Sequence, residues 1–184
     1  MAILAVAALP ACTAPQPAQL REFERVLASE HSATAALTSW CRIRGIAKPA
    51  AIIAQRVLTE ELPPPPAIIA LLQPGPTERI AYRNVRLMCG DAVLSVAQNW
   101  YLPDRLTAQM NHALDTTDAP FGRVIAPLGF TRELLVSHHG AAPDCPEDTI
   151  LMQHALLRLH DGRPVSAVVE CYTSANLQQT NSAR

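Results

Sequence analysis

Two short turns fix most of what this chain can become. Asp161-Gly162 stands between Thr149–Leu159 and Pro164–Thr173, and Gly90-Asp91 stands between Arg79–Cys89 and Ala92–Leu102. Each turn joins two runs rich in β-branched and apolar residues, which is the pattern of an antiparallel hairpin. A third run, Phe130–His138, and an earlier one, Ala51–Leu58, read as further strands.

The segments between are helical or broken by proline. Leu20, Phe23, Val26 and Leu27 recur at helical spacing. Ser32 is placed to cap a second helix reaching Arg44, with Gly45 as its stop. Pro63 to Pro66 is stiff, and Ala67–Leu72 reads as an apolar turn. Asp104–Leu114 is a helix candidate, and Pro120-Phe121-Gly122 opens a short helix or turn. Helices, a hairpin, another helix and another hairpin predict an α+β fold with a mainly antiparallel sheet. The order repeats from one half to the other, which hints at a duplicated unit.

At 184 residues, with 15 Lys+Arg against 16 Asp+Glu, the chain is long enough for one cored domain. Its charge balance offers no basic patch for nucleic acid. No apolar run is long enough for an ordinary transmembrane helix. The sequence divides into a leader and linker at 1–19, a domain at 20–177 and a polar tail at 178–184. Met1–Leu9 is wholly apolar, and Leu9-Pro10-Ala11-Cys12 follows, so the N-terminus reads as an export signal with a possible lipid on Cys12. That places the protein in the cell envelope or periplasm, with the cytoplasm as the alternative. Four cysteines remain, at 41, 89, 145 and 171. Two disulfides are open to them in an oxidising compartment, but buried free thiols are the expectation for Cys41 and Cys171. Cys145, in a Pro-rich loop, is expected to be exposed.

Two charges stand on apolar strand faces. Glu170 alternates with Val168 and Tyr172, and a two-residue Asp-Gly turn sets it opposite Gln153, with Leu151 and Leu157 nearby. Arg83 shares a face with Val85, Leu87 and Cys89, with Leu94, Val96 and Gln98 expected across the hairpin. A buried charge needs a partner or a ligand. Either the two pair with each other or sit in water, or they form a pocket. There Arg83 would hold a carboxylate and Glu170 would accept from a hydroxyl or act as acid and base. His138-His139 points to opposite faces and is no metal pair. No phosphate loop, nucleophile elbow or dinucleotide fingerprint is present.

The ordered motifs resemble chorismate lyase. They are His31-Ser32-Ala33-Thr34, the Arg83–Cys89 strand, Tyr101-Leu102-Pro103, Pro120-Phe121-Gly122, and the Asp161-Gly162-Arg163-Pro164 hairpin leading to Glu170. The resemblance implies a six-stranded antiparallel sheet, helical flaps over an enclosed ligand, and elimination of pyruvate from chorismate to give 4-hydroxybenzoate. It implies Arg83 and Glu170 as catalytic residues, with Asn99, Phe121, Gly122 and Ala33 also lining the substrate site. It calls for no metal or cofactor. The partner would be a small aromatic carboxylate, and the chain a monomer. The same fold resemblance extends to effector-binding domains of bacterial transcription regulators, which implies the alternative of a non-catalytic metabolite binder. Three departures stand out. A gap-free match sets Asn84 rather than Arg83 at the family's arginine, so a bulge is needed to keep Arg83 in the pocket. Asn99 replaces a second arginine. Chorismate is also a cytoplasmic compound, which an exported lyase would not meet.

Overall fold

The computed structural model describes residues 17–57 and 63–178. The leader with Cys12 and the tail beyond Gln178 lie outside the described residues. The chain forms α1 (Ala18–Ser29), α2 (Ala33–Arg44), β1 (Ile52–Arg56), α3 (Pro66–Leu72), β2 (Ala81–Cys89) and β3 (Ala92–Tyr101). It continues through α4 (Ala108–Thr116), α5 (Phe121–Val124), β4 (Phe130–His139), β5 (Thr149–Leu159) and β6 (Pro164–Thr173). The six strands make one antiparallel sheet in the order β1-β2-β3-β6-β5-β4. Two three-stranded meanders therefore meet at β3–β6, a layout that follows the repeated order of the sequence.

Local chemistry sets the helices. Ser32 Oγ accepts the Ala35 N–H at 3.1 Å, and Gly45 closes α2 at φ 63°, a conformation that suits glycine. The segment Ala67–Leu72 is a helix rather than a turn, because Pro66 takes its first position, where a missing N–H costs nothing. The helix expected from Asp104 starts at Ala108 instead. Pro103–Arg105 forms a 3₁₀ turn first, and Thr107 then caps α4 by accepting the Met110 N–H.

One face of the sheet carries α1 and α2. Leu20, Phe23, Leu27, Leu37 and Trp40 pack on Val85, Leu87, Ala97, Leu151, Ala155 and Tyr172. On the other face α3 seats Ile68 and Leu72 against Trp100, Leu156 and Ala167. Two disulfides staple the layers: Cys41–Cys89 joins α2 to β2, and Cys145–Cys171 joins the β4–β5 loop to β6. Cys41 and Cys171 are thus bonded, not free thiols, and Cys145 is half-buried rather than exposed. Cys41 and Cys89 lie 48 residues apart in sequence, and Cys145 and Cys171 lie 26 apart. Only the folded topology brings them together, so their spacing gives no sign of the pairing.

The two hairpins keep register differently. In β5–β6, Leu159 N–H donates to Arg163 O and Gly162 takes φ 84°. The loop is thus one residue longer than the two-residue turn expected. An extra residue at Val165 cancels the shift, and Glu170 lies opposite Gln153 and Val168 opposite Ala155, as the sequence suggests. In β2–β3 the two-residue turn holds, with Cys89 opposite Ala92, but a bulge follows at Leu94 and nothing cancels it. The Leu94 carbonyl it frees accepts from Asn176 Nδ2 at 2.7 Å, and the Val93 carbonyl accepts from Thr173 Oγ1 at 2.6 Å. Beyond the bulge Ser95, Ala97 and Asn99 stand opposite Leu87, Val85 and Arg83. The expected neighbours Val96 and Gln98 face the other way.

Candidate functional site

Under the start of α2 the sheet encloses a small cavity. Its walls come from Val85, Leu87, Ala97, Val168 and Leu157, with Ala33, Phe121 and Gly122 as a roof. Arg83, Asn99, Ser166, Arg132 and Glu170 supply its polar groups. All six residues singled out from the sequence (Arg83, Asn99, Phe121, Gly122, Glu170 and Ala33) line this one space. Arg83 reaches it by plain strand alternation, since β2 is regular from Arg83 to Leu87 and the bulge belongs to β3. Asn84 lies on the opposite side of β2.

Arg83 and Glu170 are both 5% exposed, yet they do not pair. Arg83 stands opposite Asn99, Asn99 opposite Val168, and Glu170 is two residues further on. At about 4.8 Å per strand and about 3.3 Å per residue, their Cα atoms lie roughly 12 Å apart. Glu170 instead takes Arg132 of β4, with Arg132 Nη2 donating to Glu170 Oε2 at 2.5 Å. The same Nη2 donates to Gln153 Oε1 at 2.8 Å, and Tyr172 Oη donates to Glu170 Oε2 at 2.9 Å. Burial works against the charge of Arg132, but Glu170 outweighs it and the guanidinium pKa is raised. Burial, then the Glu170 charge, pushes the Tyr172 phenol well above its usual value.

The Arg83 end is different. Its Nη1 donates to Ala119 O at 3.1 Å, while Nε and Nη2 are buried with no partner among the described residues. Burial is the main cause that lowers its pKa, and the nearby Arg56 charge adds to it. Asn99 Oδ1 accepts from Ser166 Oγ, across the β3–β6 pair. The start of α2 adds positive potential above the cavity. Ser32 Oγ and Ser32 O accept from Ala35 and Ala36, which leaves the N–H groups of Ala33 and Thr34 without helical acceptors.

The roof is tightly packed. A methyl group on Gly122 would come within 3.1 Å of Ser32 Cβ and 3.2 Å of Thr34 Oγ1, so the bare backbone of glycine lets α5 press closely on α2 there. The space below holds about 50 Å³. Above the same seam of Ser32, Thr34 and Gly122 lies an open groove of about 590 Å³, bordered also by Arg42, Arg123 and Phe130. His138 and His139 turn to different partners, Ala141 O and Glu24, and among the described residues no cluster of metal-ligating groups gathers.

No family model matches the chain. A curated relative, the uncharacterized protein y4mC of Sinorhizobium fredii (strain NBRC 101917 / NGR234), is 43% identical over 178 residues, covering 85% of this chain and 74% of its own. The chain belongs to the y4mC family. Solved structures that align with this y4mC-family fold include the ligand-binding domain of a putative GntR-family regulator from Bordetella bronchiseptica. It has a TM-score of 0.49 and 13% identity, over 67% of this chain and 83% of that one. The effector-binding domain of the Bacillus subtilis trehalose repressor aligns with a TM-score of 0.44 and 12% identity, over 72% and 97%.

Sequence reasoning missed Arg132. It sits opposite Leu157, so pairing β4 with β5 places it on the face of Gln153 and Glu170. The signal was available in the strand pattern of Phe130–His138, but that strand has no tight turn to fix its partner.

Proposed function

We propose that the chain binds a small organic acid with a flat apolar body, without converting it. One observation carries this reading: Arg83 lines the cavity, and its Nε and Nη2 are buried without a partner among the described residues. That edge offers two parallel N–H donors, the geometry that grips a carboxylate bidentately. Asp118 and Asp115 act on the Arg83 charge from a distance, but a desolvated guanidinium with no carboxylate in contact is costly, and a bound carboxylate supplies that contact and both acceptors. The open N–H groups of Ala33 and Thr34 add to the anion preference. Valine, leucine and Phe121 walls favour an aromatic or similarly flat body.

Glu170 is engaged by Arg132 and Tyr172, which supports binding over acid–base chemistry. A cavity of about 50 Å³ is far below the roughly 300 Å³ or more of ordinary ligand pockets. The ligand therefore enters by parting α2 from α5 at Gly122, from the groove above. Two disulfides support folding in an oxidising compartment. That agrees with export and with a binder in the cell envelope.

The second reading is chorismate-lyase-like elimination. It is favoured by the convergence of all six residues implied by the resemblance on one cavity. Positioning alone, in a closed site, can drive such a step without metal.

Calorimetry with 4-hydroxybenzoate, benzoate and related monoacids tests the binding reading. Saturable heat that disappears in Arg83→Gln is expected, and no heat across the panel contradicts it. Incubation with chorismate tests the second reading; 4-hydroxybenzoate no faster than the buffer control removes it.

A further inference from the structure

We infer that β4 is a docking edge for a second copy of this chain: two β4 strands pair antiparallel about a twofold axis at Val136 and join two sheets into one. This departs from the monomer that the family resemblance implies, and it is independent of the ligand.

The two edges of the sheet are finished differently. β1 is five residues long, and its outer side is covered. Ala54 N–H donates to Asp118 O at 2.8 Å, and Arg123 Nη2 donates to Ile52 O at 3.2 Å. β4 is ten residues long and carries neither lysine nor proline, two residues that natural edges use against pairing. Among the described residues, no hydrogen bond reaches the backbone groups that β4 turns away from β5. Its centre is apolar and open to water: Leu134, Leu135 and Val136 are 49%, 36% and 46% exposed. The extra residue Leu135 shifts the alternation, so Leu134 and Val136 fall on opposite faces. An open ladder with apolar side chains on both faces is a template for another strand.

The side chains of β4 select a second copy as that strand. Glu133, Val136 and His138 stand opposite Leu156, His154 and Met152 of β5, so they form an evenly spaced row on one face. A twofold axis at Val136 sets Val136 against the partner's Val136 and Glu133 against the partner's His138, twice over. A carboxylate then meets an imidazole on each side of an apolar centre, which makes the row complementary to itself. On the other face the same axis sets Arg132 across from the partner's His139. Each of these is tied within its own protomer, Arg132 to Glu170 and His139 to Glu24, so neither is left as a bare charge. Because the β1 edge is covered, pairing stops at two copies.

Sedimentation equilibrium of the full chain tests this, with circular dichroism as the check that each variant is folded. The wild type is expected at twice the chain mass of 19.9 kDa, with a dissociation constant below about 10 μM. Val136→Lys puts like charges face to face at the axis and should raise that constant at least about tenfold. Glu133→Lys and His138→Glu each break the cross-pair and should raise it by about threefold or more, whereas the double variant restores opposite charges and should return close to wild type. Loss of the exposed Glu133–Arg158 bridge costs little in either background. Three results overturn the inference: a wild type still monomeric at about 100 μM, a dimer indifferent to Val136→Lys, or a double variant no tighter than the single ones.

Discussion

The two hairpins carry one buried charge each, and they treat it in opposite ways. Between its turn and Glu170 the β5–β6 hairpin departs from simple pairing twice, at Gly162 and at Val165, and these departures cancel. Its charge, Glu170, is held by Arg132 and Tyr172. The β2–β3 hairpin departs once, at Leu94, and nothing cancels it. Its charge, Arg83, keeps two donors idle. A buried charge with its counter-ion in place holds the sheet together. A buried charge that lacks its counter-ion costs stability, and that cost makes sense where a ligand supplies the missing charge.

The sharpest way to break this comparison is to remove one cation from each end and unfold the variants in urea. Arg132→Leu strands Glu170 and should cost about 3–5 kcal/mol. Arg83→Met removes a charge that has no carboxylate partner, and stability should be unchanged or higher. Equal losses would mean that both arginines are structural.

The disulfides offer the next test. Cys41–Cys89 ties the roof helix to the strand of Arg83, and Cys145–Cys171 flanks Glu170. From loop closure alone, Cys41→Ala with Cys89→Ala should cost about 4 kcal/mol, and Cys145→Ala with Cys171→Ala about 3.5 kcal/mol. Cys41 and Cys89 are buried while Cys145 is half-buried, so graded reductant read by thiol labelling should open Cys145–Cys171 first. The reverse order would contradict this difference in packing.

Smaller effects probe the irregular residues themselves. Asn176→Ala strips the donor from the Leu94 carbonyl at the uncancelled bulge and should cost about 1–3 kcal/mol. Gly162→Ala meets no atom within 4 Å but must hold a left-handed backbone, so it should cost about 1–2 kcal/mol. Thermal melts compare the two.

The ion pair remote from the cavity gives the mildest expectation. Arg105 donates to Glu78 at 2.6 and 2.8 Å, and this bond, with the Gly75 N–H, lowers the Glu78 pKa from 4.5 to about 2. An acid whose folded pKa is depressed stabilises fully above its unfolded value. Its contribution is lost as pH falls from 4.5 toward 2. Glu78→Gln should flatten that part of the stability–pH curve; an unaltered curve would mean that the pair contributes nothing.

Much of this was legible in the residues. The strands Thr149–Leu159 and Pro164–Thr173, the Ser32 cap and the Gly45 stop follow from alternation and turn chemistry; the register of Glu170 matches the expectation because the extra residue at Val165 offsets a turn one residue longer than expected. The face of β3 did not, because the Leu94 bulge is held by Asn176 and Thr173, some 80 residues away, and no local pattern announces it. Alternation alone put Gln98 opposite Arg83, while the family resemblance pointed to Asn99, the residue that lines the cavity. Arg132 and the disulfides escaped for the same reason. Their partners are set by which strands and layers meet, not by spacing along the chain.

The claim that matters most is that the idle edge of Arg83 awaits a carboxylate. The Nε–H resonance of Arg83, assigned through its loss in Arg83→Gln, reports on that edge directly. On titration with 4-hydroxybenzoate and then benzoate, a saturable downfield shift and slowed solvent exchange of this proton are expected. A resonance that stays in place while either acid binds elsewhere on the protein would contradict it.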